Sequence, residues 1–79
     1  MDMKLNYDKQ ADAIYIELSN MPYSYGKDLD DVRRIDYDSN GKPRGIELLG
    51  VSAGVVTDRL PFRAEIEQLL GNEGIKVFV

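Results

Sequence analysis

The amino-acid sequence predicts an α+β fold: an antiparallel β-meander of about four strands, one C-terminal helix packed on one face, and a final short strand. Three observations lead there. Apolar and polar residues alternate through two segments before position 19, Asn40-Gly41 separates two apolar runs, and Phe62, Ile66, Leu69 and Leu70 recur at helical spacing. At 79 residues the chain reads as one small domain spanning 1–79. Such a length buries only about 60–65% of the surface that the unfolded chain exposes.

The first strand carries Met3, Leu5 and Tyr7 on one face and the second carries Ile14, Ile16 and Leu18, because side chains two apart in a strand share a face. A tight connection at Lys9-Gln10 sets Leu5 opposite Ile14 and Met3 opposite Ile16, with both apolar rows turned to one core. Asp8 and Asp12 bracket that turn as acceptors for local backbone N–H groups. Residues 19–26, Ser-Asn-Met-Pro-Tyr-Ser-Tyr-Gly, hold the turn formers of an irregular connection. Its Met21, Tyr23 and Tyr25 either fold back over the sheet to close the core or form an adaptable contact surface. Asp28, Asp30 and Asp31 read as a solvated acidic cluster ahead of the third strand.

Asp36 to Glu47 reads DYDSNGKPRGIE, which satisfies the calcium-loop pattern D-x-[DN]-x-[DN]-G-x₅-E at every specified position. As a metal site, Asp36, Asp38, Asn40 and a bidentate Glu47 would offer oxygen ligands to calcium or another hard divalent cation, with Gly41 at the sharp turn. The flanks favour a hairpin. Residues 31–37 lack a helical period, Pro43 has no N–H for the short pairing inside a calcium loop, and Gly45 and Gly50 weaken an exit helix. Asn40-Gly41 suits a two-residue type I′ turn that places Ile35 opposite Ile46. The hairpin is therefore the main expectation, with no metal, and the cation site is the alternative.

Beyond Leu49 the glycine-interrupted stretch Gly50-Val-Ser-Ala-Gly-Val-Val56 extends the strand or turns the chain. Ser52 fits the nucleophile elbow G-x-S-x-G, but the chain has no histidine to act as its base and is too short for the hydrolase sheet. Pro61 suits the first turn of a helix, Phe62, Ile66, Leu69 and Leu70 form its apolar stripe, and Gly71 suits a left-handed cap. Ile75-Lys-Val-Phe-Val79 reads as a last strand, apolar on both faces at its tip. Such an edge is expected to pair inside the sheet or across a subunit interface.

Composition excludes several classes of chemistry. The chain has no cysteine and no histidine, which removes disulfides, thiol nucleophiles, the usual near-neutral base and the commonest zinc ligand. Ten basic against fourteen acidic residues give a net charge of −4, opposite to the footprint of a nucleic-acid binder. Arg33-Arg34, the adjacent basic pair, is expected to send one guanidinium to each face of a strand for solvation or salt bridging. No apolar stretch approaches membrane-spanning length and the N-terminus has no leader-like apolar core, so the default expectation is a cytoplasmic protein with no membrane partner.

Tyr7-Asp8 followed by Ala11-Asp12-Ala13-Ile14-Tyr15-Ile16 is similar to an opening Y-D-x-x-x-D-x-L-Y-I. Ile35-Asp36-Tyr37-Asp38 with Gly41, Gly45, Ile46 and Glu47 looks like a block D-x-D-x-x-G-x-x-x-G-I-E, and Val51-Ser52 is near a closing A-S. In this order the segments resemble a family of small bacterial proteins, domain of unknown function 2283, over roughly residues 3–53. The resemblance implies a shared fold and no established activity, so it transfers no catalytic residue or cofactor. It also implies that the aspartate-glycine block is a hairpin turn and that a small toxin-like partner, hence an antitoxin-like role, is a hypothesis to carry.

The function expected from these readings is a non-enzymatic protein-interaction module, partnered or homo-oligomeric, with Met21, Tyr23, Tyr25, Val77 and Val79 as its contact residues. A divalent-cation domain at 36–47 is one alternative. A small carboxylate enzyme using Asp36 or Glu47 with Tyr15 or Tyr37 is the other.

Overall fold

A computed structural model describes residues 3–78. The alternating segments form β1 (Lys4–Asp8) and β2 (Ala13–Glu17), paired antiparallel with Leu5 opposite Ile16 and Tyr7 opposite Ile14. This register lies two residues from the expected one, because the connection is the four-residue loop Lys9–Asp12 and not a two-residue turn. Asp12 N–H donates to the Lys9 carbonyl at 3.3 Å and Ala11 N–H to Asp8 Oδ1 at 3.1 Å. A slip of two preserves the faces, so Ile14, Ile16 and Leu18 are still buried.

The next three strands are β3 (Tyr25–Asp28), β4 (Arg33–Tyr37) and β5 (Pro43–Leu49). The sheet therefore has five strands, and β5 inserts beside β2 to give the antiparallel order β1-β2-β5-β4-β3. β3 lies partly within the segment read as an irregular connection. As an edge strand with Tyr25 and Lys27 on its core side, it carries no buried aliphatic row to reveal it. Ile35 does lie opposite Ile46, as Asn40-Gly41 suggests. The turn itself differs, however. Gly41 has a φ of 76° while Asn40 keeps an ordinary negative φ, and the register slips between Asp36 and Tyr37. This is a three-residue connection with a left-handed glycine, not type I′. Asp38 selects it: its buried carboxylate accepts Asn40 N–H at 2.9 Å and Lys42 N–H at 3.0 Å.

A second layer covers the apolar face. A 3₁₀ turn at Val51–Ala53 leads into β6 (Val55–Val56), then α1 (Arg63–Asn72) and β7 (Val77–Phe78). Val51, Val55, Leu60, Ile66, Leu70 and Ile75 meet the sheet residues Ile14, Ile16, Leu18, Ile35, Ile46 and Leu48 in one core. Among the described residues the final strand does not join the main sheet; it forms a parallel ladder with β6, Val55 opposite Val77. Phe62 leaves the expected stripe, exposed in a left-handed conformation one residue before the helix. Gly71 lies within the helix, and the terminating glycine is Gly74 with φ 75°. Ile75 N–H bonds the Leu70 carbonyl at 2.9 Å and Gly74 N–H the Gly71 carbonyl at 3.0 Å, a paired closure whose flanking residues Leu70 and Ile75 both enter the core.

Two polar clamps fix the second layer, one of them to the sheet. Asp12 holds the 3₁₀ turn: its carboxylate accepts Ser52 N–H at 2.9 Å and Ser52 Oγ–H at 2.7 Å, and Val51 N–H reaches its carbonyl at 3.2 Å. The expected local role of Asp12 is thus a long-range one, and its φ of 53° is one that aspartate tolerates. Asp12→Ala is expected to cost about 2 kcal/mol in a urea titration. Asp12→Asn, which keeps an acceptor and tolerates the backbone conformation, should cost less.

The other clamp sits at the helix. Buried Thr57 donates its hydroxyl to Glu67, and Arg63 Nε bonds the same carboxylate at 3.1 Å. The Thr57 bond first, and then Arg63, hold the Glu67 pKa below the usual carboxylate range; Asp30 is lowered likewise, mainly by its hydrogen bond from Arg33. Groups with a depressed folded pKa stabilise the fold above their unfolded pKa, about 4, and that contribution disappears as pH falls through the folded values. The urea midpoint should therefore drop between about pH 5 and pH 3, with a shallower drop in Glu67→Gln. An identical acid slope in that variant would contradict the assignment.

Candidate functional site

Strand alternation sends Tyr15, Glu17, Arg34, Asp36, Gly45 and Glu47 to the face opposite the core. Their order in space is set by pairing: Tyr15 lies beside Glu47, Glu47 beside Arg34, and Gly45 between Glu17 and Asp36. Gly45 leaves a gap that the Tyr15 side chain occupies, since a Cβ there would collide with the phenol ring and hydroxyl. Tyr15 thereby reaches across β5 to β4, and its hydroxyl donates to Asp36 Oδ2 at 3.0 Å while accepting from Arg44 Nη1 at 2.9 Å. Desolvation, followed by the Asp36 carboxylate, raises the Tyr15 pKa against the opposing effect of Arg44. The phenol keeps its proton as a hydrogen-bond donor.

Two guanidinium groups carry this network into the loop between β2 and β3. Arg44 Nε donates to the Met21 carbonyl at 2.8 Å, and Arg34 Nη2 donates to the Tyr23 hydroxyl at 3.2 Å. Arg34 also contacts Asp36 and Asp28, each at 3.3 Å, and its pKa is raised by the Tyr23 bond first and then by these carboxylates. Tyr25 stacks on Tyr37 across the β3–β4 pair with ring centroids 5.1 Å apart. Yet Met21, Tyr23 and Tyr25 remain 41%, 52% and 42% exposed. All three side chains are thus exposed, although the backbone of the loop is tied down.

The residues of the calcium pattern are committed elsewhere. Asp38 clamps the turn from within, Asp36 serves Tyr15 and Arg34, and Glu47 stands on β5 between Tyr15 and Arg34. Among the described residues, no group of three or more acidic side chains is placed to hold a metal ion. Asp36 and Tyr15, named together in the carboxylate-enzyme alternative, do meet, but as donor and acceptor of one hydrogen bond. A depression of about 450 Å³ is lined by Val32 and Leu49 together with Asp28, Asp30, Asp31, Glu47 and the two arginines 33 and 34, both already paired with carboxylates. It offers no free cation for an anionic ligand.

Arg33 and Arg34 do diverge to opposite faces, as the strand pattern suggests. The depth of Arg33 was not foreseen: it is buried and ties Asp30 to the β6 loop, so the acidic cluster is not wholly solvated. Arg44 was missed altogether, because nothing local marks an arginine that acts through residues 23 and 29 positions away. Val77 is half-buried against the core, and Val79 lies outside the described residues. Among the described residues no helix is long and apolar enough to cross a membrane.

Fold and face together define a small α+β protein: a five-stranded antiparallel sheet with one helical layer below and a cross-strand tyrosine–carboxylate–arginine network above. The chain belongs to the family described as protein of unknown function, DUF2283, whose model matches residues 4–52. That match covers 49 of the 79 residues, from β1 into the 3₁₀ turn. It ends on Ser52, whose contact with Asp12 ties the end of the matched segment back to the loop between β1 and β2. No curated protein and no solved structure matches the chain.

Proposed function

We propose that the chain is a non-enzymatic protein-interaction module whose contact surface is the loop bearing Met21 and Tyr23 together with Tyr25 at the start of β3. The observation that carries this reading is the combination of exposure with restraint: all three side chains face solvent while Arg44, Arg34 and Tyr37 hold their loop. Tyrosine, methionine and arginine are enriched in protein interfaces, and a loop ordered before binding avoids much of the entropy loss that docking otherwise incurs. The outer face supports the non-enzymatic half of the proposal, since Tyr15 retains its proton and Asp36 is occupied as an acceptor.

The test is quantitative capture from the native cell extract, wild type against Met21→Ala/Tyr23→Ala with its fold verified by circular dichroism. A protein retained in near-stoichiometric amount by wild type, and reduced about tenfold or more by the double variant, is the expected result. Identical recovery by both proteins would overturn the loop as the contact surface. An antitoxin-like role is a narrower form of the same proposal, with a small toxin-like protein as partner. It predicts that co-expression relieves the toxicity of a neighbouring gene product, and that the double variant does not.

A further inference from the structure

We propose that β1 is a self-complementary edge through which two copies of this chain join their sheets antiparallel. β1 ends the five-stranded sheet, and among the described residues no element other than β2 makes a backbone hydrogen bond to Lys4–Asp8. Its second edge therefore presents free N–H and C=O groups along five residues. The outer-face side chains are Lys4, Asn6 and Asp8, all exposed, and the core-side ones are Leu5 and Tyr7, both only half-covered.

A two-fold axis through Asn6, perpendicular to the sheet, places Lys4 opposite the partner's Asp8 and Asp8 opposite the partner's Lys4. Leu5 then faces the partner's Tyr7 on the core side, and Asn6 faces the partner's Asn6. Each facing pair is complementary: opposite charges, apolar with aromatic, amide with amide. Such an axis keeps both helical layers on one side, so the half-covered apolar rows of the two copies become neighbours. The other edge of the sheet does not share this property. Pairing β3 with itself about Lys27 sets like charges opposite each other, and about Gly26 it joins two residues without side chains, beneath Arg34.

This surface lies at the edge of the sheet away from the aromatic loop, and the proposal does not depend on that loop. Five residues of edge make a small interface, so association is expected to be weak and concentration-dependent. Sedimentation equilibrium of the full chain from low micromolar to millimolar concentration should show a monomer–dimer equilibrium. Lys4→Glu and Asp8→Lys should each weaken it about tenfold, and the charge-swapped double variant should return most of that loss. Because Asp8 also accepts the Ala11 N–H, Lys4→Glu, which leaves the turn intact, is the primary variant. Amide exchange supplies an independent readout, with protection of residues 4–8 rising with protein concentration in wild type and not in Lys4→Glu. A strictly monomeric wild type, dimers indifferent to Lys4→Glu, or a double variant no better than the single ones would each overturn the β1 interface. Such outcomes would leave the Met21/Tyr23 capture result unaffected.

Discussion

Arg33→Ala is expected to destabilise the fold by about 3–5 kcal/mol, which is most of the stability of a domain this small. The side chain is 4% exposed. Its Nη1 donates to the carbonyls of Val56 at 2.9 Å and Asp58 at 2.6 Å, and its Nε and Nη2 reach Asp30 Oδ2 at 2.9 and 2.8 Å. Alanine would leave two carbonyls without their donor, open a cavity beside the core, and release the chain that leads from β6 toward the helix. Arg33→Lys should recover only part of the loss, because one ammonium cannot reproduce a fork directed at three acceptors. Asp30→Ala should cost much less, as that carboxylate is 41% exposed and water replaces it. Urea titrations at neutral pH measure all three. A cost below about 1 kcal/mol for Arg33→Ala would show that the guanidinium is not what holds the layers together.

Leu70→Ala should cost about 3 kcal/mol. The helix buries two side chains completely, Ile66 and Leu70, so each carries a large share of its attachment to the sheet. Leu70 has a further role, since its carbonyl accepts the Ile75 N–H and its side chain shares the core with Ile75 beyond the helix end. Truncation therefore loosens both the helix and the entry into β7. The expected signature is a lowered urea midpoint together with early amide exchange in residues 75–78. Loss of stability with normal protection of that segment would separate the packing role from the closing one.

The difference between these two predictions follows from what each residue looks like along the chain. Leu70 belongs to an apolar stripe at helical spacing, and that spacing predicts its burial as it does that of Ile66. Arg33 stands in a strand beside another arginine, and alternation says only that the two point apart. Its acceptors lie 23 and 25 residues away, and no local pattern announces them. Arg44 presents the same difficulty. Its acceptors Met21 and Tyr15 become neighbours once β5 has inserted between β2 and β4.

The calcium-like segment divides in the same way. Its aspartates, asparagine and glycine marked a turn and correctly placed Ile35 against Ile46. The turn geometry could not be read from Asn-Gly, because the buried Asp38 carboxylate gathers two N–H groups and draws the chain into a three-residue connection. Gly45 was visible only as a weak point for an exit helix and as part of a family-like block. Its purpose, room for Tyr15 to cross β5, exists only in the assembled sheet.

Periodicity and turn chemistry were thus enough for the α+β class, the strand faces, the helix with its buried Ile66 and Leu70, and the central pairing, because these depend on residues close together in the chain. The insertion of β5 beside β2, the edge strand β3, the parallel β6–β7 ladder, the Asp12–Ser52 clamp and the arginine-held loop were decided in the tertiary structure. Apart from β3, an edge strand with no buried aliphatic row to mark it, each arises from polar or backbone groups finding partners far along the chain once the core has closed. Residue spacing along the chain carries no record of such partners.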